Sequence, residues 1–305
     1  MALKLECKTT VATRDTSASA TASSSTTKHK RKRTTSEQRI REPSSSDSDS
    51  DAHISTGNSR GPRSSSKKAK RGYAEPEVYA HLHLLQDYLQ SGLDVVFCGI
   101  NPGYMSAQVG HHFANPTNHF WRCLHKSELT STFVPPSEDY TLMERFNIGL
   151  TNLVDRPSAE ASELSKSEMV ASVPAFLEKI ALHKPRFVCF VGMGIWDIVK
   201  TVLAKMHLSS TAPSTNAKNK GKQEKRQPSQ LGLQSYKLVY PSSEDTDGDV
   251  KASETLFFVV PSTSGRVVQY QLTDKIGFFT ELRTFVHKSP AEIDTSAMQS
   301  IVLET

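Results

Sequence analysis

Three short runs constrain this chain more than anything else in it: Asp94-Val95-Val96-Phe97-Cys98, Arg186-Phe187-Val188-Cys189-Phe190-Val191 and Leu256-Phe257-Phe258-Val259-Val260. Each is apolar without alternation, which marks a strand covered on both faces rather than one with a wet side. Between them lie segments of helical periodicity. Lys166 to His183 places Met169, Val173, Phe176, Leu177 and Ile180 on one face, with Pro174 expected to kink it or begin a second helix. Gly192 to Met206 and Leu272 to His287 read as two more helices, and Thr117 to Lys126 as a shorter one. Phe146 to Val154 reads as strand and loop, and Tyr236 to Tyr240 as a strand. Pro76 suits the first turn of a helix carrying Tyr79, Leu82, Leu85, Tyr88 and Leu89. Apolar strands alternating with helices imply an α/β fold, a three-layer α/β/α sandwich with a mostly parallel central sheet.

Composition sets the limits of that domain. Residues 1–71 hold 26 Ser or Thr and 16 Lys or Arg against 7 Asp or Glu, so they carry +9 of a chain whose net charge is +5. The remainder is slightly acidic. With so few large apolar residues the segment cannot offset its ordering entropy, and a disordered basic tail is expected. Lys28-His29-Lys30-Arg31-Lys32-Arg33 and Lys67-Lys68-Ala69-Lys70-Arg71 are dense enough to attract nucleic acid or to act in nuclear import, although solubilising charge gives the same composition. The folded domain is expected over 72–288, with polar insertions at about 208–230 and 241–254 and a C-terminal tail at 289–305. Cys7, Cys98, Cys123 and Cys189 have no metal-binding spacing and read as reduced thiols. No apolar stretch has the length of a membrane span, so a soluble, nuclear protein is expected.

In open α/β sheets ligands bind beyond the carboxyl ends of the strands. Two segments hold that position: Ile100-Asn101-Pro102-Gly103 and Pro261-Ser262-Thr263-Ser264-Gly265-Arg266. Pro102 pushes Asn101 toward an extended backbone, and Gly103 removes a side chain where a ligand could press on the loop. Taken alone, Asn-Pro-Gly is an ordinary turn signal. Likewise Gly192-Met193-Gly194 is too short a fingerprint for dinucleotide binding, and adjacent His111 and His112 could be a metal pair or a core pair. No metal and no cofactor are assigned.

The company of these segments is more specific. Val95 to Gly103, then Gly110-His111-His112-Phe113-Ala114-Asn115-Pro116, Asn118-His119-Phe120-Trp121-Arg122, Gly149-Leu150-Thr151-Asn152-Leu153-Val154-Asp155-Arg156 and Val260 to Arg266 together resemble the mismatch-specific uracil/thymine branch of the uracil-DNA glycosylases, over roughly residues 93–288. The resemblance implies a monofunctional DNA glycosylase that flips uracil, or thymine or a modified pyrimidine, from opposite guanine and hydrolyses its N-glycosidic bond. It implies that Asn101 positions the water and that Ile100, Ser106, His112, Phe113 and Asn152 form the base pocket. His112 would lie near the base as a hydrogen-bond donor. Pro261, Ser262, Thr263, Ser264, Gly265 and Arg266 would form the DNA-intercalation loop, with Arg266 as the wedge. Where relatives carry Gly-Lys after the second strand, this chain has Gly192-Met193.

Each residue also has a plain alternative: Phe113 in the core, Asn152 in a turn, Arg266 as an exposed charge, the serines as a helix cap. An amide is too weak a base to ionise water, so Asn101 suits a reaction whose sugar carbon becomes cation-like as the base leaves. The implied partners are double-stranded DNA with a G-mismatched or damaged pyrimidine and downstream abasic-site processing enzymes. The protein is expected to act as a monomer. The competing reading is a catalytically silent DNA-binding or scaffolding module.

Overall fold

The computed structural model describes residues 72–211, 230–240 and 254–302. The expected basic tail, Cys7 and most of both polar insertions lie outside the described residues. All described residues fall within the unit Ser65–Thr305.

Among the described residues the sheet has six strands: β1 (Val95–Gly99), β2 (Ile148–Asn152), β3 (Phe187–Val191), β4 (Gly232–Val239), β5 (Glu254–Val260) and β6 (Gln299–Val302), in the order β2-β1-β3-β5-β4-β6. The four consecutive strands β2, β1, β3 and β5 are parallel, β4 runs antiparallel to β5, and β6 runs parallel to β4. Every residue of β1, β2 and β3 is buried.

The pleat divides these strands between two cores. Val96, Cys98, Val188, Phe190, Phe257 and Val259 face helices α4 (Lys166–His183) and α5 (Met193–Thr211), through Val173, Phe176, Ile180, Trp196 and Val199. Val95, Phe97, Phe187, Cys189, Phe258 and Val260 face α2 (Phe120–Lys126) and α6 (Leu272–Val286), through Phe120, Leu124, Phe279 and Leu282. A sheet with helices packed on both faces is the three-layer α/β/α sandwich read from the sequence. Two shorter helices, α1 (Tyr104–Val109) and α3 (Leu142–Phe146), lie in the connection from β1 to β2. Cys98, Cys123 and Cys189 are free and buried, and burial pushes all three thiols up, Cys123 to about 12.

Four elements differ from their sequence reading. Only Pro76–Tyr79 forms a helical turn, of the 3-10 type, where a longer helix is expected. Tyr88 instead pairs antiparallel with Leu150, its N–H donating to Leu150 O at 2.9 Å and its O accepting from Leu150 N–H at 3.0 Å. The otherwise open edge of β2 thereby gains backbone partners. Pro174 lies inside an unbroken α4. An interior proline costs a helix about 3 kcal/mol, and burial of the face formed by Val173, Phe176, Leu177 and Ile180 offsets this. Helix α5 runs on to Thr211, into the segment read as the start of an insertion. Residues 289–305, read as a tail, contain a 3-10 turn at Pro290–Glu292 and β6, whose Ile301 joins the α4/α5 core.

Gly149 is where the Tyr88 segment presses on the sheet: a Cβ there would lie 2.7 Å from both Tyr88 O and Leu93 Cδ1. Gly149→Ala is therefore expected to destabilise the fold by about 1–3 kcal/mol through overpacking, measured by urea denaturation. An unchanged midpoint would show that the Tyr88 segment is not seated there as described.

Candidate active site

A cleft of about 800 Å³ opens beyond the carboxyl ends of β1, β2 and β5. Asn101, Ile100, Ser106, His112, Phe113 and Asn152 line it from one side, and Ser262, Thr263, Ser264, Gly265 and Arg266 from the other. Pro261 is buried and is not on its wall.

The loops after β1 and β2 continue as a pair beyond the sheet. Leu153 N–H donates to Gly99 O (2.9 Å), Val154 N–H to Ile100 O (2.9 Å) and Ser158 N–H to Pro102 O (3.0 Å). Asn101 lies within this splice. Its Nδ2 donates to Arg156 O and to Ser158 Oγ, both at 2.8 Å. The Ser158 hydroxyl donates onward to Glu160 O at 2.9 Å, so toward Asn101 it can only accept. Both amide hydrogens are thus spent, the amide's orientation is fixed, and Oδ1 is left to act in the cleft. Arg156 is held in turn by a bidentate pair with Glu168, Nε to Oε1 at 2.6 Å and Nη2 to Oε2 at 2.9 Å. Glu168 also closes the capping box of α4 with Ser165. The shared hydrogen bond raises the pKa of Arg156 and lowers that of Glu168, each favouring its charged form.

The pocket behind Asn101 depends on the missing side chain of Gly99. A Cβ at Gly99 would lie 2.5 Å from Asn152 Oδ1 and 3.5 Å from Phe113 Cζ. Phe113 has a left-handed backbone, φ 51°, rare for a bulky residue and costly by about 1–3 kcal/mol. Its neighbours impose that conformation: Ala114 N–H donates to Ser106 Oγ (3.0 Å), His112 N–H to Asp139 Oδ2 (2.8 Å), and Trp121 Nε1 to His112 O (3.2 Å). The Phe113 ring stacks on buried Phe120, centroids 4.0 Å apart and planes 18° apart, while still lining the cleft. Phe113 is thus partly buried against the core and lines the cleft at once.

His112 is buried, with Nε2 2.8 Å from Gln86 O. A carbonyl only accepts, so Nε2 carries the proton, and burial lowers the ring's pKa. The neutral ring then offers Nδ1 as an acceptor only. The hydrogen-bond donor toward a base expected of this side chain is already committed to Gln86. His111 turns to Asp139 instead, Nδ1 to Oδ1 at 3.0 Å, so the adjacent histidines serve two different partners. Asp139 also holds Tyr88, whose phenol is pushed up to about 12, first by burial and then by that carboxylate.

The opposite wall is a turn braced from below. His119 N–H donates to Thr263 O (2.9 Å), and the Ser262 and Ser264 hydroxyls accept the N–H groups of Ser264 (3.4 Å) and Arg266 (3.3 Å). The serines thus hold the turn; they do not cap a helix. Fully buried Lys275 reaches Ser264 O at 3.4 Å, and Gly265 rests on Thr117, where a Cβ would meet Thr117 O at 2.6 Å. Gly192, at φ 135°, brings the start of α5 against Ser262. Arg266 is exposed and ion-paired with Glu160 at 2.8 Å.

Sequence reasoning passed over Ser158, Glu160, Asp139 and Lys275, whose partners are distant in the chain. The Ser165/Glu168 spacing was a readable capping signal. The family model described as Uracil DNA glycosylase superfamily matches residues 86–283, which takes in both walls of the cleft.

Since burial depresses His112 from the ordinary histidine value of 6.5, the unfolded chain binds its proton more readily than the folded one. Its contribution to stability is complete above that value and lost as pH falls through the depressed folded value. Unfolding free energy measured from about pH 7 down to about pH 5 should decline less steeply in His112→Gln than in the wild type. Equal slopes would contradict a buried, neutral His112. His119 and His183, also lowered by burial, keep the remaining slope in both proteins.

Proposed function

The chain belongs to the uracil DNA glycosylase superfamily, and from that premise we propose that it is a monofunctional glycosylase of the mismatch-specific uracil/thymine branch, excising uracil from opposite guanine. The observation that carries this reading is the fixed amide of Asn101, with Oδ1 left for the cleft. An amide oxygen accepts a hydrogen bond from water but does not ionise it. That suits a dissociative cleavage, in which the bond between sugar carbon and base nitrogen weakens before water arrives. The base leaves with the bonding pair as an anion, and water adds to the cation-like carbon. The proton that the added water sheds passes to solvent or to the departed base, and an abasic site remains. Backbone N–H groups beside Ile100 meet the charge on the departing pyrimidine. The turn 261–266 contains no histidine to assist them, so the leaving group's own acidity matters more.

The cost of extruding a nucleotide is lower when its base is mispaired, and this favours uracil opposite guanine. Phe113 stacks on the extruded base, Asn152 reads its edge, and Arg266 fills the vacated space. Ser106, tied to Ala114, bounds the room for a 5-substituent, so uracil is placed ahead of thymine and of modified cytosines. The basic segment 1–71 adds sequence-independent attraction to DNA and suits a nuclear protein that works as a monomer and hands its product to abasic-site processing enzymes.

A single-turnover release assay on duplexes carrying uracil, thymine, 5-formylcytosine, 5-carboxylcytosine or ethenocytosine opposite guanine tests this. Uracil should leave fastest. Asn101→Ala should lower release at least about 100-fold while keeping affinity for the mismatched duplex, and Ser158→Ala should lower it less. Equal release by Asn101→Ala and wild type would sink the mechanism, and a borohydride-trapped adduct would show that the enzyme is not monofunctional.

A further inference from the structure

One ion pair spans the mouth of the cleft. Arg266, on the loop after β5, places Nη1 2.8 Å from Oε1 of Glu160, on the loop after β2. In the sheet order these are the outer two of the four parallel strands. Three interstrand spacings, about 14 Å, therefore separate the strand ends from which the two loops depart. Both side chains line the cleft. They are unequal partners. Glu160 is anchored, because its backbone O accepts the same Ser158 hydroxyl that holds Asn101, and its side chain is 35% exposed. The Arg266 side chain is 71% exposed.

A nucleotide leaving a duplex must pass between these two loops to bring its sugar carbon to Asn101. We propose that the Glu160–Arg266 pair is an autoinhibitory latch, which must open before a nucleotide enters and which withholds Arg266 from DNA until then. The inference rests on reading the cleft as a glycosylase site. Ion pairs between exposed groups shift an equilibrium by at most about fivefold. The latch is therefore a brake that an extruded nucleotide overcomes, and an undamaged duplex, held by sequence-independent phosphate contacts, binds with it closed.

The test is equilibrium binding, by fluorescence anisotropy, of the full chain to two duplexes. They are identical except that one carries a tetrahydrofuran abasic-site analogue opposite guanine. Glu160→Gln should bind the analogue duplex about two- to fivefold more tightly and the intact duplex as the wild type does. Glu160→Asp keeps the charge but shortens the reach, and should behave like Glu160→Gln. In an Arg266→Leu background neither change should have any effect. Equal tightening on both duplexes, wild-type affinity in Glu160→Asp, or a gain that persists without Arg266 would mean that Glu160 merely repels phosphate, and would overturn the latch. So would wild-type affinity throughout. Base release measured on the same proteins separates the two readings. The predicted binding pattern without any release would sink the glycosylase reading alone, and release with additive binding effects would sink the latch alone.

Discussion

The site depends on where Asn101 sends its two amide hydrogens. An amide on a loop is ordinarily free to turn, and either of its ends could face a ligand. Here Arg156 O and Ser158 Oγ take both hydrogens, so one end is committed to the protein and the oxygen is left for the cleft. The acceptors are themselves fixed, Arg156 by Glu168 at the start of α4 and Ser158 by Glu160 O. A weak polar group becomes useful through rigidity, because holding a water in line contributes only if the holder does not move.

That rigidity originates in the sheet. The parallel register pairs Gly99 with Asn152, so both strands leave the sheet side by side, and the loop after β2 keeps donating backbone hydrogen bonds to the loop after β1 as far as Ser158. Successive side chains of the unbroken apolar runs β1, β3 and β5 point into opposite cores, which seats the strands and keeps their ends from drifting. The far wall rests on its own braces, His119 N–H, Lys275 and the contact of Gly265 with Thr117. The Arg266 side chain crosses from that wall to the other.

How much of this was legible follows the range of the interactions. Val95 to Cys98, Phe187 to Val191 and Leu256 to Val260 are unbroken apolar runs, and local pattern alone places them in a covered parallel sheet. The residues named from resemblance converge on one cleft, Pro261 excepted. Tyr88 was misread because Leu82, Leu85 and Leu89 have helical spacing, while the partner that decides its conformation, Leu150, is far along the chain. Strand β6 is four residues with a single buried side chain, Ile301, too short to carry a period. Pro174 broke a local rule that tertiary burial overrode. His112 shows the same limit, since its proton is assigned by Gln86 O, which no motif includes.

The central claim is that Asn101 acts by orienting water through a fixed amide oxygen and not as a base. The most direct measurement is the pH dependence of single-turnover uracil release by Asn101→Asp beside the wild type, over about pH 5 to 8. A carboxylate at position 101 gains basicity but has no hydrogens for Arg156 O and Ser158 Oγ. The account predicts release at least about tenfold slower than wild type, with no gain as the carboxyl group ionises. Release that matches or exceeds the wild type and rises with that ionisation would show a general base at work, and would contradict the account.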